Sequence, residues 1–223
     1  TFFGGVLMVL RKLMGLFACA LIIGAASFAT AGVPDLQTTT AGLVYTGTET
    51  LSLFNLPNGA GLPFTEAFLP AGAGQTDGTI ELILRDGFGV VIANFPRSDM
   101  WIENVGTGVE FGLVACGGTA IADFNTNDLG ETSWTNPVFA GGQGTALTVV
   151  KINGDALTSN GGLALWFNSA DLNGDGVVNL SDAGIFTTFL GGVYSYDGDF
   201  NNDGVVNVSD AGFMANALGA SCP

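Results

Sequence analysis

Two stretches near the carboxyl terminus read "DLNGDGVVNLSD", Asp171 to Asp182, and "DFNNDGVVNVSD", Asp199 to Asp210. Charged residues make up only 11% of the chain, so the same acidic phrase written twice calls for a specific chemistry. Oxygen-bearing side chains recur at positions 1, 3, 5, 9 and 12 of each copy. Gly176 and Gly204 hold position 6, and Val177 and Val205 hold position 7.

This is the ligand spacing of an EF-hand loop. A calcium ion takes six to eight hard oxygens, and side chains at positions 1, 3 and 5 converge on it as the loop winds round. Glycine at position 6 permits the sharp turn. Position 7 contributes its main-chain carbonyl, so valine suffices there. Two Ca2+ ions are therefore expected. The first would be held by Asp171, Asn173, Asp175, Val177, Asn179 and Asp182. The second would be held by Asp199, Asn201, Asp203, Val205, Asn207 and Asp210. Position 12 is Asp rather than the usual Glu, so closure needs the following helix nearer the ion. Three carboxylates in one loop repel one another without a metal, which should couple folding of this segment to calcium. Val178 and Val206, at position 8, are expected to pair as a short β-bridge between the loops.

A short helix is expected after each loop, over "LSDAGIFTTFLGG" and "VSDAGFMANALGA". Ser181 or Asp182, and Ser209 or Asp210, suit the helix starts. Gly191 and Gly219 suit the ends. Ile185, Phe186, Phe189 and Leu190 form one apolar face, repeated by Phe213, Met214, Ala217 and Leu218. The segments before the loops, "GGLALWFNSA" and "GGVYSYDG", do not read as helix.

A loop with an exiting helix, given twice from Asp171 to about Ala220, resembles a type I dockerin. That resemblance implies docking onto a cohesin-like or cell-surface protein, in a polysaccharide-processing assembly or at the cell envelope. It places the partner face at loop positions 10 and 11 and along the helices: Leu180, Ser181, Thr187 and Thr188, with Val208, Ser209, Ala215 and Asn216. Many dockerins carry Lys or Arg six residues beyond position 12. Thr188 and Asn216 stand there instead, and the segment has no basic residue.

The rest of the chain sets the context. It has 223 residues, no His and a net charge of -15, which argues against nucleic acid because phosphate binding needs clustered Lys and Arg. Arg11 and Lys12 precede an apolar run from Leu13 to Phe28, and Ala29-Thr30-Ala31 offers small residues for cleavage. Residues 1–31 thus read as a secretory signal peptide with upstream residues, and Met8 as the natural start. The expected product is secreted, extracellular or surface-associated, without a membrane span in the mature chain. Its basic residues are Arg85, Arg97 and Lys151. Cys116 and Cys222 remain; export permits a disulfide, but two separate thiols fit the sequence equally.

Residues 32–167 alternate short apolar runs with Gly, Pro, Asn and Asp punctuation. In "TIELILRD", Ile80, Leu82 and Leu84 face one way and Glu81 and Arg85 the other, as in a half-buried strand. Seven or more such runs predict an all-β antiparallel sandwich, followed by a small α module over 168–223. "LRDGFGVVIANFP" (Leu84 to Pro96) and "DFNTNDLGETSWTNPVFAGG" (Asp123 to Gly142) resemble bacterial immunoglobulin-like modules. Asp123, Asn125, Asn127 and Asp128 read as a turn, with a cation loop as the alternative.

Without His there is no Ser-His-Asp set, and no carboxylate pair stands out, so a non-catalytic protein is expected, a hidden glycoside hydrolase being the exception. Two rivals remain. One is a carbohydrate-binding sandwich that uses Trp101, Trp134 and Trp166. The other is a surface or adhesin subunit stiffened by calcium.

Overall fold

The computed structural model describes residues 32–223; the expected signal peptide lies outside the described residues. The described chain is mostly β-structure with two C-terminal helices, and it forms one compact unit. The boundary expected at 167–168 falls within a strand, Leu165–Ser169.

Four small sheets build the β region. Thr40–Leu43 (β1), Ile80–Ile83 (β5) and Glu131–Trp134 (β9) make one, with β5 in the centre. Met100–Glu103 (β6) and Val149–Ile152 (β11) are the inner pair of a second, flanked by Ala120–Ile121 (β8) and Asp155–Ala156 (β12). Val114–Ala115 (β7) pairs with Ala140–Gly141 (β10). In the fourth, Leu51–Asn55 (β2) sits between Leu165–Ser169 (β13) and the short Ala67–Phe68 (β3), which in turn pairs Gln75–Thr76 (β4).

The sheets are antiparallel with one departure from the expectation. β13 runs parallel to β2, with Leu165 opposite Leu51 and Ser169 opposite Asn55. A parallel pair needs a long crossover, and here most of the β region lies between the two strands.

The alternation in "TIELILRD" is realised: Ile80, Leu82 and Leu84 are buried and Glu81 is exposed. "GVVIANF" forms no strand, only the bridge Arg85 to Val91. The main core gathers Leu51, Leu53, Phe64, Ile80, Met100, Trp134 and Phe167, among others. Each fully buried large apolar side chain contributes about 1.5–3 kcal/mol relative to exposure.

The helices are Leu180–Phe189 (α1) and Val208–Ala217 (α2). They begin at the expected residues, but the caps lie two or three residues before the expected Ser181 or Asp182 and Ser209 or Asp210. The capping residues are Asn179 and Asn207, at loop position 9, and each accepts from the amide two residues on at 2.7 Å. Asp182 and Asp210 complete a capping box by accepting from the Asn179 and Asn207 amides. Gly191 and Gly219 follow the helices with φ of 75° and 89°, a conformation that favours glycine.

A second core joins the helices to the sheet. Phe54 and Leu56, from β2 and just beyond it, pack with Leu172, Val178, Phe186, Phe200, Met214 and Ala217. The Phe54 ring lies 5.4 Å from Phe200 and 5.1 Å from Phe213. The C-terminal segment therefore shares its interior with the sheet that precedes it.

Candidate metal centre

Loop 1 (171–182) leaves β13 directly. Asp171 is fully buried, and its Oδ1 and Oδ2 accept from the Asp175 and Gly176 amides at 3.1 and 2.9 Å. Asp182, also fully buried, accepts from the Asn173 and Asn179 amides at 3.2 and 2.9 Å. Loop 2 (199–210) repeats the pattern. Asp199 accepts from Asp203 and Gly204 at 3.0 and 2.8 Å, and Asp210 from Phe200 and Asn207 at 2.8 and 2.9 Å. Both of these are fully buried as well.

The remaining expected ligands line the same loops. Asn173 and Asn201 each donate to the position-5 carboxylate, at 2.9 and 3.0 Å. Asp175 and Asp203 each accept from the position-7 amide. The Asn179 and Asn207 amides donate to the Val177 and Val205 carbonyls at 3.2 and 3.3 Å. Among the described residues, no three His, Cys, Asp or Glu side chains are gathered closely enough to hold an ion by themselves. Any bound ion would need the Asn and main-chain oxygens as well as carboxylates, which is the mixed set that the spacing implies.

The charge balance tests whether such an ion fits. Four buried carboxylates need compensation, because an isolated buried charge is costly. The three basic side chains of the described span are engaged elsewhere. Arg85 donates to the Gly89 carbonyl, Arg97 to the Asp123 carbonyl, and Lys151 pairs with Glu103 at 3.4 Å. Backbone amides supply partial charge only. Burial pushes the Asp171 carboxyl above its ordinary range, and the neighbouring Asp182 and Asp175 add to this. Burial, with Asp199 close by, does the same to Asp210. An all-oxygen set with surplus negative charge suits a hard divalent cation.

Several supporting residues were not anticipated from the sequence. Asn168 donates to the Asp199 carbonyl at 3.0 Å and to that of Tyr196 at 2.6 Å. The Tyr194 hydroxyl donates to Asp199 Oδ2 at 3.0 Å, and burial together with that carboxylate pushes the phenol well up. Phe111 covers loop 1 so closely that a Cβ on Gly174 would lie 3.1 Å from its ring. The Asp171 carboxylate lies against Gly141, where a Cβ would collide with it. The only local signal for these contacts is the pair Gly141-Gly142 before the loops.

Position 8 also departs from the expectation. Val178 does not pair with Val206. Its amide donates to the Ala220 carbonyl at 2.8 Å, and its carbonyl accepts from Gly219 at 2.9 Å. The disulfide left open by the sequence is present: Cys116 and Cys222 are bonded, with Cα atoms 5.5 Å apart.

All eight residues of the expected partner face are exposed: Leu180, Ser181, Thr187, Thr188, Val208, Ser209, Ala215 and Asn216. Leu180 and Val208 are 82% and 81% exposed. The opposite helix faces are covered, with Phe186, Met214 and Ala217 buried and Ile185, Phe189 and Phe213 half-buried, but Leu190 and Leu218 stay largely exposed. A cleft of about 420 Å³ runs beside α2, lined by Phe54, Leu56, Phe213, Asn216 and others, none of them titratable.

The other sequence candidates resolve separately. Asn127 accepts from the nearby Leu129 and Glu131 amides, as in a turn, whereas Asp123 and Asn125 accept from the Thr135 and Arg97 amides, farther away in the chain. Trp134 is buried and donates to the Ala120 carbonyl; Trp101 and Trp166 are half-buried, the latter edge-on to Tyr196. Among the described residues no helix is long and apolar enough to cross a membrane.

No protein-family model matches the chain, and no curated protein matches it. Among solved structures, it is similar to a type II cohesin-dockerin domain from Bacteroides cellolosolvens, at 42% identity with a TM-score of 0.22. That match covers 23% of this chain and 85% of the other.

Proposed function

We propose that this is a secreted, non-catalytic protein whose C-terminal repeats bind two calcium ions and present a docking face to a protein partner. In this reading the β region is an immunoglobulin-like display module, and the two loop-helix repeats are dockerin-like. The observation that carries it is the set of four fully buried carboxylates, Asp171, Asp182, Asp199 and Asp210, with no basic side chain among the described residues to balance them. A divalent ion in each loop would neutralise that charge and hold both helix starts. Less entropy would then be lost when a partner docks. The exposed residues Leu180 and Val208 sit at matching positions of the two repeats and would be the centre of contact.

Calorimetric titration of the metal-free protein with calcium should show two ions bound per chain. Capture of partners from culture of the producing organism, with and without chelator, should yield a protein held only in calcium. Leu180→Asp with Val208→Asp should abolish that capture and leave calcium uptake unchanged. A titration without heat or ordering would end the calcium reading.

One observation favours a second reading. The helices share a core with Phe54 and Leu56 of the sheet, and a disulfide ties the tail to it. Calcium would then stiffen one rigid body, as in a surface or adhesin subunit. Capture of no protein by the calcium-loaded form, together with a large rise in melting temperature, would favour this reading.

A further inference from the structure

We propose that the C-terminal tail, residues 219–222, is a latch built onto loop 1 alone, and that the Cys116–Cys222 disulfide makes loop 1 the tighter of the two metal sites. The inference rests on the calcium reading above and concerns what makes two nearly identical loops unequal.

Three main-chain hydrogen bonds form the latch. The Cys222 amide donates to the Gly176 carbonyl at 2.9 Å, the Val178 amide to the Ala220 carbonyl at 2.8 Å, and the Gly219 amide to the Val178 carbonyl at 2.9 Å. Between them Val177 and Ser221 form an antiparallel bridge. The latch therefore grips positions 6 to 8. Position 6 donates its amide to the Asp171 carboxylate, and position 7 carries the main-chain oxygen expected to face the ion. The sulfur closes over the same spot, since a Cβ on Gly176 would lie 3.1 Å from Cys222 Sγ.

The far end of the latch is fixed. Cys116 follows β7, and its amide donates to the Phe139 carbonyl at 2.7 Å. β7 pairs with β10, whose Gly141 lies under the Asp171 carboxylate. The next amide, of Gly142, donates to the Asp171 carbonyl at 3.1 Å. Loop 1 is thus held at position 1 by the β7–β10 pair and at positions 6, 7 and 8 by the tail, and the disulfide joins these two supports covalently.

Loop 2 has no counterpart to the tail. Position 1 is held by Tyr194 and Asn168, and position 4 by the Gly72 amide, which donates to the Asn202 carbonyl at 3.3 Å, but Gly204 and Val205, at positions 6 and 7, are exposed and join no bridge. Positions 6 and 7 of loop 2 therefore keep more freedom before an ion binds, whereas the cross-link limits the conformations open to the same positions of loop 1. Outer contacts that orient metal ligands typically change affinity by about 10–100-fold.

The test opens the latch and reads each site separately. A dithiol reductant gives up two electrons and two protons, leaving Cys116 and Cys222 as thiols and itself as a cyclic disulfide. Calcium titrations would compare oxidised and reduced protein in two backgrounds. Asp203→Ala leaves loop 1 as the working site, and Asp175→Ala leaves loop 2. Reduction should weaken loop 1 by roughly 10-fold or more and leave loop 2 unchanged, with reoxidation restoring the difference. A chain ending at Ser221 lacks Cys222 and should behave like the reduced protein, while near-ultraviolet circular dichroism of the buried Trp134 reports an intact β region. Equal weakening of both sites, or no change in either, overturns the latch while calcium binding stands. Failure of the oxidised protein to take up calcium overturns the calcium reading and the latch with it.

Discussion

Loops 1 and 2 differ in sequence only at Leu172/Phe200, Gly174/Asn202 and Leu180/Val208, yet they are held in different ways. Loop 1 grows out of strand β13 and is gripped by the tail and Gly142. Loop 2 follows the short turn Tyr196–Gly198, and side chains hold it: Asn168, Tyr194 and the Phe54–Phe200 ring contact. One is fastened at four positions by main chain and a covalent bond, the other by aromatic packing, two polar side chains and a single main-chain bond from Gly72 to Asn202. The lesson is that near-identical loop sequences do not receive equal support, and under the proposed calcium reading the scaffold would set how much order is present before an ion arrives.

Three experiments would break or sharpen that contrast. The largest effect is expected at Phe54. Its ring packs on Phe200 in loop 2 and on Phe213 in α2. Phe54→Ala should cost about 3–5 kcal/mol in urea unfolding and weaken calcium at loop 2 more than at loop 1. Equal weakening of both sites would show that the shared core, not the individual supports, governs the loops.

A smaller effect is expected from pH, and it should change sign with calcium. Burial raises the Asp171 carboxyl in loop 1 and the Asp210 carboxyl in loop 2. Between the unfolded and the raised folded values, the native state binds a proton that the unfolded chain does not. This contribution is fully present below the unfolded value and is lost as pH rises through the folded one. With chelator present, the tyrosine signal of Tyr194 and Tyr196 should therefore melt at a higher temperature on acidification into the carboxylate range. With calcium it should melt lower, because the ligands must be deprotonated to hold the ion. Glu110 on the β region works the other way. Burial alone would raise it, but hydrogen bonds from Thr145 and Thr107 outweigh that and hold it low, so its contribution is lost as pH falls through the folded value. A fall in melting temperature on acidification in both conditions would mean that groups such as Glu110 dominate the tail as well.

The smallest effect is expected at Tyr194. Tyr194→Phe removes the hydroxyl that steadies Asp199 and should lower loop 2 affinity a few-fold, up to about 10-fold, with loop 1 untouched. The measurement is calcium titration in the Asp175→Ala background. A change at loop 1 would contradict the separation of the two supports.

The sequence by itself determined the loops and the helices after them. Their chemistry is local: the spacing of the Asp and Asn side chains, the glycine turn and the helix starts all lie within a dozen residues, and local geometry suffices to specify them. It also determined the half-buried alternation of strands such as Ile80–Ile83, because period two is written along the strand itself. The tertiary structure alone decided the parallel pairing of β13 with β2, the bond between Cys116 and Cys222, and the packing of Phe54 into the helical tail. It also decided that Val178 pairs with the tail instead of Val206. These contacts join residues far apart in the chain. Which partner wins depends on the summed burial and hydrogen bonding of the whole fold, and no short stretch of sequence contains that sum.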